Sequence, residues 1–376
     1  MKVILTDLES RKAFDIFNLV KHYCFDIKAY SNSSNGIELK ILEFIYGNKI
    51  YTLDKENLFN SFKTLINDKS NNYIYFPVEE DTTVKFYELI KNYNISNFYY
   101  KLPPKKSFDC VRDKLKFSKY CLEHNFPVPL EYSYDDILKK NQLPCNLIIK
   151  PKSGSGSMGI KFVDTFEEFL SYKDLDFEQF IIQERLENSK DVEGAFFLFD
   201  NGKMVSYYGH KRIRTYPSEG GVTIYSKCEY NEVLKNIGKN LLESLNWSGI
   251  AMVEFILDKR DNSYKIIEVN PRAWGSIMLS EFSNANIIKN YLMICKGKES
   301  NICEVKEDRY IRWVFPWDII YYLKNGGNIK SFLLLNSDNT CYINFSYTKK
   351  YKALLFLIYN ILDYKKITKF IKKVFG

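Results

Sequence analysis

The sequence predicts an α/β protein with several parts: a small parallel α/β domain, a larger α+β part, and a basic helical tail. Three observations support this prediction. The first hundred residues alternate short apolar segments with helical patterns, and residues 147–270 hold apolar segments joined in pairs by polar turns. Residues 349–376 are rich in lysine. A length of 376 residues fits two or three domains, at roughly 100–200 residues each.

The first domain is predicted from an alternation of strand and helix signals. Two strand candidates and two helix candidates follow one another at 3–5, 11–23, 73–78 and 84–92. Strands that alternate with helices favour a parallel sheet, here of the Rossmann-like kind. The sequence Pro-Pro-Lys-Lys at 103–106 is typical of a linker, so this domain is predicted to span residues 1–104.

The next two hundred residues carry longer helices and paired strands. Helices are predicted over 109–125, 165–172 and 230–245. Strands are predicted over 147–150, 160–163, 180–183, 195–199, 203–208, 249–257 and 264–269. The dipeptide Asn201-Gly202 favours a tight hairpin turn between two of these strands.

Composition excludes several classes of protein. With 45% hydrophobic and 27% charged residues, the chain is not expected to be disordered. Only three His occur, and none of the eight Cys form a C-x-x-C pair, which disfavours zinc and thioredoxin-type sites. No run of about 18 apolar residues predicts a membrane-spanning helix. The first residues do not fit a signal peptide, so we expect a cytoplasmic protein with reduced thiols.

A glycine-rich loop follows the predicted strand at 147–150. Gly154, Gly156 and Gly159 fit the pattern G-x-G-x-x-G, but a strand-like segment follows, where a dinucleotide-binding fold needs a helix. The Lys-Ser/Thr pair of a Walker loop is also missing. Backbone N–H groups of such a loop, with Lys150 beside them, suit a phosphate. An ordinary Gly/Ser hairpin loop is the other interpretation, and this segment alone leaves both open.

The most informative stretch is an acidic hairpin. If its turn centres near Asp261, Glu254 lies opposite Glu268 in an antiparallel pair, and Asn270 shares their face of the sheet. Two opposed carboxylates repel, and a divalent cation removes that repulsion. Two carboxylates and an amide oxygen suit Mg²⁺, and Arg272 follows at the end of the strand. The alternative, solvated acids on an exposed face, fits poorly with the apolar residues around them.

Five elements occur in a fixed order through residues 105–300. They are Asp113-Lys114, Asn-Phe-Pro-Val-Pro at 125–129, Leu-Ile-Ile-Lys-Pro at 147–151 with the glycine loop, Ile-Ile-Gln-Glu-Arg-Leu at 181–186, and Ile-Glu-Val-Asn-Pro-Arg at 267–272. This set resembles the ATP-grasp superfamily, in the branch of the carbamoyl-phosphate synthetases and carboxylate–amine ligases. The resemblance implies a two-lobed ATP-grasp domain (lobes 105–182 and 183–300) after a pre-ATP-grasp domain. Residues 301–376 are predicted to form a C-terminal extension with a basic amphipathic helix.

The resemblance also implies roles for individual residues. Lys114 and Lys150 would contact ATP phosphates under the glycine loop, whose residues are Ser153, Gly154, Ser155, Gly156, Ser157 and Gly159. The hinge strand would hold adenine through Gln183, Glu184 and Leu186. Asp191 would bind the ribose, with Glu193 as a competitor. Two Mg²⁺ ions, with Mn²⁺ as a substitute, would be held by Glu254, Glu268 and Asn270. Arg272 would stabilise the transferring phosphate or acyl-phosphate.

A basic segment, residues 209–221, resembles one in a less-studied branch of predicted ATP-dependent carboligases. A run of cationic side chains followed by two glycines is typical of an anion site with a hinged cover. Lys211 and Arg214 are our choices for contacting an acceptor carboxylate or the γ-phosphate, whereas His210 is too weakly supported as a base. A solvated basic loop is the alternative interpretation.

The function implied is an ATP- and Mg²⁺-dependent ligase that joins a small carboxylate (amino acid, peptide or sugar acid) to an amine through an acyl-phosphate. One alternative is related acyl-phosphate or carboxylation chemistry on the same fold. The other is a catalytically silent nucleotide-binding protein at a membrane. The opposed acids disfavour the silent protein, because a fold without metal chemistry has no need of them. The sequence names no substrate and no oligomeric state.

The tail explains the net charge of +8. Residues 349–376 hold eight Lys and one Asp, so the rest of the chain, with 46 basic and 45 acidic residues, is nearly neutral. No nucleic-acid-binding module is found, so no nucleic acid partner is expected. Ile367, Phe370, Ile371 and Val374 follow helical spacing, which suits the surface of an anionic membrane. Packing of this helix on the protein body is the alternative interpretation.

Overall fold

A computed structural model describes residues 1–152, 159–187, 192–216, 222–300, 304–313, 318–324, 340–342 and 350–362. Several residues singled out from the sequence lie outside these segments: Ser153, Gly154, Ser155, Gly156, Ser157 and Asp191. The amphipathic pattern at 367–374 lies outside them as well. The mixed α/β class predicted from the sequence is confirmed, with a parallel first sheet and mostly antiparallel pairing in the later ones.

The first sheet contains five parallel strands in the order β3-β2-β1-β4-β5. They are β1 (Lys2–Leu5), β2 (Asp26–Ser31), β3 (Ile50–Thr52), β4 (Tyr73–Tyr75) and β5 (Phe98–Tyr99). The helices between them are α1 (Arg11–His22), α2 (Gly36–Tyr46), α3 (Leu58–Ile66) and α4 (Glu80–Asn92). Each strand is followed by a helix on its way to the next, which is the connection that parallel pairing requires.

A helical break follows where the sequence predicts a single helix over 109–125. The structure has α5 (Lys105–Arg112) and α6 (Lys114–Glu123) instead. The Asp113 carboxylate accepts hydrogen bonds from the backbone N–H groups of Leu115 and Lys116, so it caps α6 and restarts the helix. This break places Lys114 in the first turn of a new helix.

The second sheet has four antiparallel strands in the order β6-β9-β7-β8. These are β6 (Glu131–Tyr132), β7 (Leu147–Pro151), β8 (Lys161–Val163) and β9 (Phe180–Glu184). Helices α7 (Tyr134–Lys140) and α8 (Phe166–Ser171) cover one face, where Leu147, Ile149 and Ile182 form a small core with Ile137 and Phe169. The other face carries Lys150.

The third sheet is the largest, with seven strands in the order β14-β13-β10-β11-β12-β15-β16. Its strands are β10 (Val192–Asp200), β11 (Lys203–Tyr216), β12 (Val222–Cys228), β13 (Gly249–Asp258), β14 (Ser263–Asn270), β15 (Tyr310–Arg312) and β16 (Thr340–Tyr342). The helices are α9 (Glu232–Ser244), α10 (Met278–Phe282), α11 (Ile287–Cys295) and α12 (Ile319–Lys324). A continuous core joins this sheet to the first domain through Trp274, Tyr291 and Phe14.

The last described helix, α13 (Lys350–Leu362), packs on the first domain. The Phe356 ring stacks on Phe14 with 4.3 Å between centroids, and the Tyr359 hydroxyl donates a hydrogen bond to Glu38. For residues 350–362, the alternative that the tail packs on the protein body therefore holds. Among the described residues, no helix has both the length and the apolar character needed to cross a bilayer.

Candidate active site

Two acidic side chains face each other across the β13–β14 hairpin. Glu254 is the register partner of Glu268, which is the register predicted from the sequence. A bulge directly after Glu254 makes Ile266 the partner of Phe255 and leaves Ile267 as the extra residue. The Asn270 Nδ2 atom donates a hydrogen bond to Glu268 Oε1 at 2.9 Å, so amide and carboxylate lie on the same face.

The pKa values of the two carboxylates are shifted in opposite directions. Burial raises the pKa of Glu254 to about 7, and Glu268 adds to the rise against the opposing charge of Arg212. Burial also acts to raise the pKa of Glu268, but hydrogen bonds from Glu254 and Asn270 and the charge of Lys114 outweigh it, and the net pKa is lowered. The pair therefore shares one proton near neutral pH, a common arrangement of opposed buried acids.

Two lysines approach this pair from the second sheet and from α6. The Nζ atom of Lys114 lies 3.8 Å from Glu268 Oε2, and its backbone N–H donates to the Lys152 carbonyl at 2.9 Å. That bond ties the start of α6 to the chain just after β7. Lys150 is buried on β7, and burial lowers its pKa to about 8, with Glu268 raising it and Lys114 lowering it. The structure thus brings both predicted phosphate-binding lysines together at the acid pair.

Arg272 is held on three sides where β14 ends. Its Nε atom lies 3.2 Å from Glu80 Oε1 at the start of α4, and its Nη2 atom donates to Asn270 Oδ1 at 3.1 Å. Its Nη1 atom donates to the Ala273 carbonyl at 3.0 Å. The Glu80 carboxylate also lies 3.2 Å from Arg112 Nε. The first domain therefore fixes the direction of the arginine that follows the acid pair.

The hinge strand β9 presents alternate side chains to opposite faces. Gln183 lies opposite Ile148, and Ile181 lies opposite Lys150, so Gln183 shares the face of Lys150. Its Nε2 atom donates to Glu131 Oε1 at 3.1 Å, while its Oε1 atom is buried with no hydrogen-bond partner. A buried acceptor of this kind can receive a hydrogen bond from a ligand.

Glu184, by the same alternation, lies opposite Leu147 and on the other face from Lys150. Both of its carboxylate oxygens are occupied: Oε1 accepts from the Leu130 N–H at 3.0 Å and Oε2 from Arg260 Nη2 at 2.6 Å. Its side chain is thus engaged by the protein. Leu186, which follows the strand, is buried.

Lys211 and Arg212 lie on opposite faces of β11. The Arg212 Nη2 atom contacts Glu254 Oε1 at 2.5 Å, so Arg212 belongs to the face of the acid pair. Lys211 lies opposite Glu193, whose Oε1 accepts from the Tyr264 hydroxyl at 3.0 Å on the other side of the sheet. The cation beside the acids is therefore Arg212, which the sequence analysis did not select, and not Lys211.

Arg214 lies beyond a bulge in β11, farther from the acids. Its Nη2 atom lies 3.2 Å from Asp318 Oδ1, and its guanidinium stacks 4.6 Å above the Tyr225 ring. Arg312 on β15 contacts the other oxygen of the fully buried Asp318. Two arginines thus share one buried carboxylate, which leaves an excess of positive charge next to Arg212.

His210 carries no charge in this setting. Burial lowers its pKa to about 3, with a contribution from Arg212, and its Nδ1 atom lies 3.0 Å from the Ser276 hydroxyl.

Gly159, the described end of the glycine loop, has φ +76°, a left-handed conformation that favours glycine. The nucleotide-binding role of this loop stays a prediction.

The donor set at the acid pair fits a hard cation. The described residues hold no cluster of three or more His, Cys, Asp or Glu suited to a metal, and this set has two carboxylates and one amide instead. Carboxylate and amide oxygens are the ligands that Mg²⁺ prefers, and Mg²⁺ needs few protein ligands. A cation between the acids would also replace the proton that they share.

Comparison with known proteins finds similarity to one domain family. Residues 111–276 match the family model of the ATP-grasp domain. A D-alanine–D-alanine ligase of Francisella tularensis subsp. novicida (strain U112) is 25% identical over 180 residues, which cover 44% of this chain and 58% of that protein. The chain thus spans less than two thirds of that relative.

Two solved structures share the fold over most of the chain. The biotin carboxylase domain of the 2-oxoglutarate carboxylase of Hydrogenobacter thermophilus superposes with TM-score 0.62 and 13% identity, covering 82% of this chain and 73% of that one. The N5-carboxyaminoimidazole ribonucleotide synthetase of Thermotoga maritima gives 0.56 and 13%, covering 81% and 78%. The matched model, the shared fold and the ordered motifs together show that residues 111–276 of this chain form an ATP-grasp domain.

Proposed function

We propose that this protein is an ATP- and Mg²⁺-dependent ligase that joins a carboxylate to an amine and releases ADP and phosphate. The observation that carries the proposal is the opposed, half-buried pair Glu254 and Glu268, with Lys114 and Lys150 converging on it. Two similar proteins support this kind of reaction, since one is named a ligase and the other was solved with MgADP and bicarbonate.

The acid pair would hold the metal. Glu254, Glu268 and Asn270 supply oxygens on one face of the hairpin, and we propose two Mg²⁺ ions there, with Mn²⁺ as a substitute. When bound, Mg²⁺ neutralises phosphate charge during transfer. The raised pKa of Glu254 supports the fit, because burial without a cation leaves one carboxylate of the pair protonated.

The nucleotide would lie between the second and third sheets. Lys114 and Lys150 would contact its phosphates, covered by the loop of Ser153, Gly154, Ser155, Gly156, Ser157 and Gly159. Adenine would lie at the hinge strand, near Gln183 and the backbone around Leu186. Glu184 would act as a positioning residue, because its carboxylate is already bonded to the protein. The ribose acid, Asp191 or Glu193, stays open.

The substrate carboxylate would bind on the arginine side of the acid pair. The Nε atoms of Arg212 and Arg214 are buried donors without a hydrogen-bond partner, and burying such donors is costly unless a ligand satisfies them. A carboxylate accepts from arginine in two parallel hydrogen bonds. Lys211, chosen from the sequence, lies on the opposite face, so we assign this role to Arg212 and Arg214.

The reaction then follows from charge. A substrate carboxylate oxygen attacks the γ-phosphorus in line, and ADP leaves. The amine nitrogen attacks the acyl carbon of the acyl-phosphate, phosphate leaves with the bonding electrons, and the amine loses a proton to solvent. Arg272, held by Glu80 and Asn270, would stabilise charge on the phosphate or on the tetrahedral oxyanion.

ADP release with pools of carboxylates and amines tests this function, and hydroxylamine traps the acyl-phosphate as a hydroxamate. We expect trapping that depends on the carboxylate and on Mg²⁺, and its loss in Glu268→Gln. The matched control is Glu167→Gln, an exposed acid in the first turn of α8. Turnover with bicarbonate as the sole acid would instead support carboxylation chemistry. ATP binding with no turnover in any pool would support the silent alternative.

A further inference from the structure

One face of helix α2 exposes an apolar stripe to solvent. Ile37, Ile41 and Phe44 follow the spacing i, i+4, i+7 and are between 45 and 73% exposed. Lys40 lies on the same face, at i+3 from the first of them. Isolated exposed apolar residues are common, but three in one helical stripe mark a surface that contacts something.

The acidic residues of α2 are turned away from this stripe. Glu38 accepts hydrogen bonds from the hydroxyls of Ser33 and Tyr359, and Glu43 accepts from the backbone N–H of Ile50 at 3.1 Å. Both carboxylates are thus held against the body of the first domain. The exposed face of the helix carries one charge, the positive charge of Lys40.

Helix α13 lies beside α2 and repeats its pattern. The Tyr359–Glu38 bond and the contact of Phe356 with Tyr46, at 6.1 Å between ring centroids, join the two helices in antiparallel order. On α13, Tyr351, Leu354 and Ile358 are between 40 and 53% exposed at the spacing i, i+3, i+7. No Asp or Glu occurs between residues 349 and 362.

We propose that these two helix faces dock on an anionic lipid surface. The α2–α13 face consists of the exposed residues Ile37, Lys40, Ile41, Phe44, Tyr351, Leu354 and Ile358. Apolar side chains flanked by lysines and free of acids are the composition that enters the interface of an anionic bilayer. The chain continues from this face into residues 363–376, which hold five Lys and one Asp.

Charge favours a lipid surface over a second copy of the chain. In a symmetric dimer through this face, the Lys40 side chains of both copies would lie in one interface, and like charges repel. An anionic bilayer offers the opposite sign over a wide area. The first domain would then rest on the membrane, with the acid pair on a different sheet of the molecule.

Co-sedimentation of the full chain with vesicles tests the proposal. Vesicles of phosphatidylglycerol and phosphatidylcholine in equal parts are compared with phosphatidylcholine alone. We expect binding to the anionic vesicles that weakens with salt, and at least about tenfold weaker binding by Ile41→Gln/Phe44→Gln and by Lys40→Glu. The control Leu122→Gln/Val233→Gln removes equally exposed apolar residues from α6 and α9 and should bind like the parent.

Three outcomes would overturn the proposal. They are no vesicle binding by the parent chain, equal binding by Ile41→Gln/Phe44→Gln, and a parent dimer that these substitutions convert to a monomer without any vesicle binding. A chain ending at Leu362 separates the helix face from the residues after it. If the chain ending at Leu362 lost all vesicle binding while Ile41→Gln/Phe44→Gln and Lys40→Glu bound fully, the contact would be assigned to residues 363–376. The α2–α13 face would then be rejected.

Discussion

Two glutamates in this protein, one buried and one half-buried, show opposite ways of placing a carboxylate in a sheet. Glu184 on β9 accepts from the Leu130 backbone and from Arg260, so residues of the chain satisfy both of its oxygens. Glu254 on β13 faces a second carboxylate, Glu268, and its pKa rises to about 7 because of burial. A carboxylate satisfied by its own protein stabilises structure, whereas we expect one placed against another acid to bind a ligand.

The difference arises from which face of a sheet each acid occupies. Glu184 lies on the face of its register partner Leu147, away from Lys150. Glu254 lies on the face that also presents Arg212 and, through its partner Glu268, Lys114. The predictions below separate a structural acid from a ligand-binding acid, from the largest expected effect to the smallest.

The same isosteric change at the two positions should have different consequences. We expect Glu254→Gln to lower ADP release by about a hundredfold or more, because it removes a charge from the proposed metal ligands at the proposed site of phosphoryl transfer. Glu184→Gln should retain turnover to within about tenfold of the parent, since the Glu184 carboxylate contacts Leu130 and Arg260 and serves to position the strand. Steady-state assays at saturating ATP give both values. Equal losses in the two variants would contradict the distinction drawn between them.

Loss of the lysine on the face of Gln183 should weaken nucleotide binding. Lys150→Met keeps much of the buried stem but removes the charge, and we expect the dissociation constant of ATP to rise by about tenfold or more. Equilibrium binding of a fluorescent ATP analogue measures it. Lys173→Met, at an exposed position, is the control. Unchanged affinity in Lys150→Met would remove this lysine from the nucleotide site.

The sequence predicted the acid register and the parallel first sheet because both depend on strong local patterns. Alternation within an apolar hairpin fixes which residues share a face, and Glu254 lies opposite Glu268 as expected. Side-chain alternation also places Gln183 with Lys150. A resemblance in sequence assigns residues to a motif, yet it does not show that the Glu184 carboxylate is bonded to Arg260 from a distant turn.

Lys211, which we selected from the sequence, lies on a different face from Arg212 for a specific physical reason. The hairpin begins with Asp200 opposite Lys203, and that register, continued without change, places Gly209 opposite Gly194 and puts Lys211 on the face of Glu254. A bulge between Leu198 and Phe199 shifts the pairing by one residue. His210 then lies opposite Gly194, and every later side chain of β11 changes face. Bulges of this kind leave no clear mark in a sequence.

Removing the partner of the structural acid should cost stability. Arg260→Ala leaves Glu184 buried without its cation, and we expect the free energy of unfolding to fall by about 1–2 kcal/mol. The expected loss of unfolding free energy is small because the Arg260 side chain is 47% exposed and solvent screens its charge. Urea denaturation measures it, with Lys259→Ala in the same turn as control. Unchanged stability together with lost ATP affinity would move Glu184 to the nucleotide site.

The smallest effect concerns the pH dependence of stability and Glu254, the acid that faces Glu268. Because burial raises the pKa of Glu254 from 4.5 to about 7, the folded chain binds this proton more tightly than the unfolded chain. Its contribution to stability is therefore complete below its unfolded pKa and is lost as the pH rises through 7. Glu268, whose pKa is lowered, acts in the opposite sense and only in acid, where its contribution is lost as the pH falls.

Between about pH 6 and pH 8 the metal-free protein should thus lose about 1 kcal/mol of unfolding free energy through Glu254. Urea denaturation across this range measures the slope, with Glu167→Gln as a control that keeps it. Glu254→Gln should flatten the slope and be the more stable protein at the alkaline end, because an amide cannot ionise against Glu268. An equally steep dependence of the unfolding free energy on pH in Glu254→Gln would mean that another group causes it. Glu254 would then be as well satisfied by the protein as Glu184.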